Sequence, residues 1–175
     1  MSVPVLPRPA ATVILVRDQD GAPGVYLLQR SLKSSFMAGS YVFPGGKLDA
    51  GDGDADFWAP RGDLESAALM RRLHEGDDSL PLLAYAVAAI RETWEEAGVL
   101  LAASGNSGGA LLERLGQLRA SQSLPADWLR RESLAGRLTV SFAALWPWSR
   151  WIAPEALAQR FDTRFFVAFM PAGQR

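Results

Sequence analysis

Arg91-Glu92-Thr93-Trp94-Glu95-Glu96-Ala97-Gly98 puts three carboxylates and one guanidinium within six residues and then stops on glycine. At ~100° per residue, a helix carries Glu92, Glu95 and Glu96 (i, i+3 and i+4) on a single face. Like charges that close repel and weaken a bare helix, so a cation is needed to offset them. A hard divalent ion that prefers oxygen ligands suits the task. A solvated acidic face is the commoner fate of such charges. Against it stands the preceding run Leu82-Leu83-Ala84-Tyr85-Ala86-Val87-Ala88-Ala89-Ile90, apolar almost without break. A helix of that composition is largely buried, and acids at its end need partners because an unpaired charge out of water is expensive. Ser79 and Pro81 suit the cap and first turn of this helix, and Gly98 the position just past its end.

Upstream, Val42-Phe43-Pro44-Gly45-Gly46-Lys47-Leu48-Asp49-Ala50-Gly51-Asp52 reads as a strand running into a glycine turn. Together the two segments resemble the signature of the Nudix hydrolase family: a glycine, five residues, a glutamate, seven residues, then Arg-Glu-apolar-x-Glu-Glu-x-Gly-apolar. Gly46, Arg91, Glu92, Glu95, Glu96, Gly98 and Val99 fit. Asp52 stands in place of the first glutamate and Thr93 in place of the apolar residue. Residues 53–90, 38 in all, separate Asp52 from Arg91 where the signature has seven. That interruption, with Gln29-Arg30-Ser31 ahead of it and Arg160-Phe161-Asp162-Thr163-Arg164-Phe165-Phe166 behind, resembles the branch with an interrupted Nudix box that contains the mammalian peroxisomal coenzyme A diphosphatase.

The resemblance runs from Ala10 to Gln174 and implies an α/β fold: a Nudix-type α/β/α sandwich with a mixed sheet. A helical insertion within the box, residues 53–79, belongs to one domain spanning residues 1–175. The implied activity is divalent-metal-dependent hydrolysis of the diphosphate bond in a small-molecule nucleoside diphosphate derivative, with CoA or acyl-CoA foremost and Mg²⁺ or Mn²⁺ as cofactor. Glu95 and Glu96 are the first choices as metal ligands, Glu92 is a third ligand or the base, and the Gly46 carbonyl is carried over from the family pattern. Glu92, Arg91 and Asp52 form the catalytic set. Arg91 orients carboxylates by pairing with Glu95 or Asp52. Arg30 and Lys47, near the glycines, are candidates for substrate phosphate, with Lys33 beside them. A homodimer is open, since dimers are frequent in the family. Such domains commonly continue into another strand and a closing helix, so a short member and a C-terminally truncated one are both open.

Bulk composition sets limits. The chain has 175 residues, enough for one domain with a real core, and 49% hydrophobic and 21% charged residues, as in an ordinary globule. A net charge of −1 gives no pull toward nucleic acid or membrane surface, which argues against an RNA or cap hydrolase of the same fold. With no cysteine there is no disulfide, thiolate zinc site or cysteine nucleophile. The single histidine, His74, reads as solvated. No secretory or membrane-spanning run is visible, so a cytoplasmic location is expected.

Strands are expected over Ala11–Val16, Val25–Gln29, Ser40–Phe43, Leu138–Trp151 and Phe161–Met170. Helices are expected over Leu64–Leu73, Ala110–Ala120 and Ala126–Leu134. Trp146, Trp148 and Trp151 read as packing residues, and Arg160, Asp162 and Arg164 as a polar strand face that lines a pocket or meets a partner. Asp52, Asp54 and Asp56 alternate like a calcium loop, but the sixth and twelfth positions hold Phe57 and Asp63 instead of glycine and glutamate, so a flexible loop is expected. No Walker loop or serine-hydrolase elbow occurs. A non-catalytic module of the same fold would have no need for three crowded acids.

Overall fold

Arg8–Gln19 (β1) is the strand around which the sheet is organised. Its side chains alternate: Ala11, Val13 and Leu15 are fully buried, while Thr12, Ile14 and Val16 are half-buried. The structure is a computed structural model describing residues 5–33, 38–64, 68, 71–72, 82–102 and 108–174. Ser79, Pro81, His74 and most of the helix expected over 64–73 lie outside the described residues.

From β1 the chain turns at Asp20 and Gly21, which both have positive φ (56° and 82°), the backbone a two-residue hairpin requires. The Gly21 N–H donates to Asp18 Oδ1 at 2.8 Å. Ala22–Val25 (β2) then pairs antiparallel with β1. The strand expected over Val25–Gln29 is thus divided between β2 and Leu28–Gln29 (β3), which pairs with Tyr41–Val42 (β4) in a separate ladder. Gly45–Lys47 (β5) adds antiparallel to β1. Here the expected glycine turn is corrected. The two glycines continue as strand because they permit close approach: a Cβ on Gly45 would lie 2.4 Å from the Ala11 carbonyl oxygen. Phe161–Phe169 (β7) runs parallel to β1, and Trp146–Ile152 (β6) closes the edge antiparallel to β7, so the sheet is mixed.

The Asp/Gly-rich stretch is more ordered than the expected loop. A 3₁₀ turn at Ala50–Gly53 leads into the short helix Ala55–Trp58 (α1), capped by Asp54 Oδ1 accepting from the Phe57 N–H at 3.1 Å. Burial of Phe57 and Trp58 holds it down. Leu82–Glu92 (α2) is buried from Leu82 through Arg91 and shares one core with Ala11, Val13, Leu15, Phe166 and Ala168. Gly108–Ala120 (α3) and Trp128–Leu134 (α4) contribute Leu111, Leu115, Trp128 and Leu129 to that core. Fully burying each such aliphatic side chain stabilises the fold by about 1.5–3 kcal/mol. Among the described residues no helix is long and apolar enough to cross a membrane.

The C-terminal strands depart from expectation in two ways and meet it in part in a third. Leu138–Leu145 is not strand: Val140 makes isolated bridges to Gly62 and Ala102, and Phe142–Ala144 is a 3₁₀ turn. Trp146, Trp148 and Trp151 are 51%, 68% and 68% exposed instead of packed. As part of an edge strand with a register shift at Pro147/Ser149, they have neighbours on one side only. Finally, of the expected polar face, Arg160 lines a cavity, while Asp162 and Arg164 are taken up by neighbours within the fold. Arg164 is buried with its guanidinium 5.1 Å from the Tyr85 ring centre, and Asp162 is held by Arg150 at 2.6 Å.

Candidate active site

The buried helix α2 delivers its last residue pair, Arg91-Glu92, to the surface end of the sheet, and the chain then widens into a π-helical turn over Thr93–Ala97. Winding of i→i+5 type spreads Glu92, Glu95 and Glu96 more than an α-helix would. Thr93 is fully buried and donates its hydroxyl to the Ala89 carbonyl at 2.6 Å, which is how a polar residue is accommodated where the signature wants an apolar one. Gly98 ends the segment at φ 70°, its N–H donating to the Trp94 carbonyl at 2.9 Å. Arg119 of α3 donates from Nε to the Glu95 carbonyl at 2.8 Å and from Nη2 to the Glu96 carbonyl, satisfying the free carbonyls of the helix end.

Arg91 is the hub. Its Nε and Nη2 donate to the two oxygens of Asp52 at 3.1 and 2.9 Å, and Nη2 also donates to the Lys47 carbonyl at 2.9 Å. Nη1 donates to Glu92 Oε1 at 2.9 Å and Glu95 Oε2 at 3.3 Å, with Asp49 at 3.7 Å. Burial by itself would lower the guanidinium pKa, but Asp52 and then Glu92 and Glu95 raise it, so it is permanently charged. Asp52 is only 3% exposed and also accepts the Asp49 N–H at 2.8 Å. The shorter acid therefore reaches the arginine through a fork of two bonds.

The three glutamates are held differently. Gly46 lies flat against Glu92: a Cβ there would sit 2.4 Å from its carboxylate. Burial first, and then the neighbouring Glu95 and Glu96, pushes Glu92 up to about 7 despite the opposing pull of Arg91. Glu95 Oε1 accepts from the Trp128 indole at 2.9 Å. Glu96 Oε2 accepts the Gly45 N–H at 3.0 Å; burial raises its pKa, while Gly45 and Arg30 oppose the rise. Arg30 is thus close enough to act on Glu96, and its buried Nε has no hydrogen-bond partner among the described residues. The Lys47 side chain is exposed; its backbone carbonyl is what joins the site. Lys33 lies in an exposed turn, its N–H on Ser31 Oγ at 3.2 Å. Among the described residues no three acids converge as a ready cation cage. Two cavities flank the acids, one of about 320 Å³ beside Glu95, Arg119, Gln122 and Leu124, the other of about 220 Å³ beside Asp52, Trp58, Arg91 and Leu129.

The sequence did not point to Arg119 or Trp128, because both reach the acids through tertiary packing alone. Asp49 was visible only as part of the glycine segment.

Crowding has a thermodynamic consequence. An acid whose folded-state pKa is raised carries no penalty below its ordinary value of 4.5, where both states hold the proton. Stability falls as pH rises from there to about 7, and the full penalty persists above it. In divalent-free buffer at pH 8, Glu92→Gln is therefore expected to stabilise the protein by about 2 kcal/mol, allowing for partial water access, and to make no difference near pH 4.5. Urea denaturation of both proteins at the two pH values checks this. Equal stability at pH 8 would mean that Glu92 is not held against its own ionisation.

A sequence profile of the NUDT19 Nudix domain matches residues 7–173. The acyl-coenzyme A diphosphatase NUDT19 of Gallus gallus is 33% identical, over 91% of this chain and 54% of its own length. The Homo sapiens protein of the same description is 32% identical, over 81% of this chain and 46% of its own. The chain thus spans about half the length of these curated relatives. A solved NUDIX hydrolase from Alicyclobacillus acidocaldarius is similar in fold with a TM-score of 0.64 and 28% identity, covering 93% of this chain and 69% of that one. The interrupted box, the mixed sheet with its buried helix, and a profile match over nearly every residue agree: this chain belongs to the Nudix hydrolase family, in its NUDT19 domain group.

Proposed function

We propose that the chain hydrolyses the diphosphate bond of coenzyme A or an acyl-CoA with the help of Mg²⁺ or Mn²⁺. The observation that carries this reading is the placement of Glu92 and Glu95 on one buried arginine, with Glu92 against Gly46 and Glu96 on the Gly45 N–H. The acyl-CoA diphosphatase activity named for the Gallus gallus and Homo sapiens relatives supplies the substrate class.

The donor set suits a hard cation. Burial raises Glu92 and Glu96 toward their neutral forms, and a divalent ion would relieve both. Glu92, Glu95 and Glu96 would hold it, with the Gly46 carbonyl as a further oxygen. Once bound, the ion would neutralise phosphate charge and lower the pKa of an attacking water. The chain's own groups do the rest. Arg91 orients Glu92 and Glu95, Asp52 fixes Arg91, and the Gly45 N–H sets the rotamer of Glu96. Arg30, whose buried Nε has no partner among the described residues, would take a diphosphate oxygen. Glu92, with a pKa near neutrality, can also accept a proton from water.

A non-catalytic module of the same fold has one observation on its side, that the acids lean on Arg91, Trp128 and Gly45 and form no cage among the described residues. Turnover separates the two. The purified protein with Mg²⁺ or Mn²⁺ is offered CoA, acetyl-CoA, ADP-ribose, NADH, a nucleotide sugar and a dinucleoside polyphosphate. Release of adenosine 3′,5′-bisphosphate from the two CoA compounds, abolished by chelator, is the expected result. Inactivity across all six would transfer the case to the binding module.

A further inference from the structure

At the sheet end where β1, β5 and the entry to β7 meet lies a cavity of about 240 Å³, lined by Val5, Arg8, Lys47, Gln159, Arg160 and Phe161 among others. Among the described residues its lining holds three cations and no carboxylate. Six arginines elsewhere, Arg91, Arg114, Arg130, Arg131, Arg137 and Arg150, are ion-paired, and others such as Arg119 and Arg164 bond carbonyls or stack on a ring. Among the described residues Arg8 and Lys47 make no ion pair and no side-chain hydrogen bond. Arg160 is 9% exposed and rigidly held, its Nε donating to the Ala153 carbonyl at 2.9 Å and Nη1 to the Val5 carbonyl at 2.7 Å. Those bonds occupy two of its five donors. Like charges lining one cavity repel, and an anion seated there would offset that repulsion and could take the donors of Arg160 not used by Ala153 and Val5.

The cavity adjoins the acids. Lys47 directly follows Gly46, which touches Glu92, and the Lys47 carbonyl is bonded to Arg91. Successive side chains leave a strand on opposite sides, so the Lys47 side chain turns from the acids toward the cavity, and β5 is the rim the two share.

We propose that this cavity is a second anion subsite, built from Arg8, Lys47 and Arg160, for a phosphomonoester carried by the substrate whose diphosphate lies at the acids. The inference rests on the CoA reading above and deepens it. CoA bears a phosphomonoester on its ribose that ADP-ribose, NADH and nucleotide sugars lack, so the subsite selects CoA derivatives among adenine-containing diphosphates.

The test is calorimetric and independent of turnover: adenosine 3′,5′-bisphosphate and AMP are titrated into the protein in chelator, then into an Arg8→Gln/Lys47→Gln double variant. Both side chains are exposed, and circular dichroism verifies the fold of the variant. The wild type is expected to bind the bisphosphate at least about tenfold more tightly than AMP, the worth of one charge-assisted contact. That advantage should shrink severalfold in the variant. Equal binding of the two nucleotides by the wild type, or an undiminished advantage in the variant, overturns the subsite. If the advantage is present but no CoA compound is hydrolysed, the catalytic reading fails and the subsite stands. If CoA and 3′-dephospho-CoA are hydrolysed equally well and the nucleotides bind alike, the subsite alone fails.

Discussion

Arg91→Met should lower the stability of the fold by about 3–5 kcal/mol, the largest loss expected from a single substitution near the site. The arginine is buried and holds Asp52 through two hydrogen bonds, with Glu92 and Glu95 on its remaining amine. Methionine fills much of the same volume, so the loss is electrostatic. Asp52, nearly without solvent contact, is left with no guanidinium to face, and Glu92 and Glu95 lose the cation that offsets their mutual repulsion. Adding Asp52→Leu to Arg91→Met should restore part of the loss, because an apolar pair in place of a buried ion pair is often neutral. Arg91→Lys should fall between, since an ammonium supplies charge without the fork that meets Asp52. Urea denaturation measures all three. A loss below about 1 kcal/mol for Arg91→Met would contradict the role of Arg91 as the hub.

The largest effect on turnover should come from Glu96→Gln and Glu95→Gln. Each is expected to cut kcat/KM for CoA by about 10³-fold or more, equivalent to ~4 kcal/mol of transition-state stabilisation. Neither variant should lose stability, and Glu96→Gln, which removes a charge that burial disfavours, should gain some at alkaline pH. The amide oxygen introduced at position 96 can still accept the Gly45 N–H, and the one introduced at position 95 can still accept from the Trp128 indole. The scaffold around each position therefore survives. What is lost is the negative charge a cation needs. The required concentration of Mg²⁺ should rise along with the fall in rate, a signature that a purely structural role would not produce. Full activity in both variants would remove these residues from the chemistry.

The core of the fold could be read from local pattern. The apolar run Leu82–Ile90 is α2, the β-branched run Ala11–Val16 is the buried part of β1, and Gly98 ends the acidic turn with positive φ. The fork between Asp52 and Arg91 was one of two pairings the signature allowed. What escaped was set by tertiary contact. Nothing in Thr93-Trp94-Glu95-Glu96-Ala97 marks a π-turn, and the Arg119 that bonds its Glu95 and Glu96 carbonyls comes from another helix. Gly45-Gly46 has the composition of a turn, yet β1 captures it as a strand. The tryptophans of β6 are spaced like core residues; their exposure follows from the strand's place at the sheet edge, which no local pattern encodes.

The most direct measurement is anomalous diffraction from crystals of the protein soaked in Mn²⁺. One strong peak is expected between Glu92, Glu95 and Glu96, at roughly 2.1 Å from carboxylate oxygens drawn away from Arg91 and Gly45. No peak there, with Glu92 and Glu95 still on Arg91 and Glu96 still on the Gly45 N–H, would contradict the assignment of these acids to a metal-bound diphosphate.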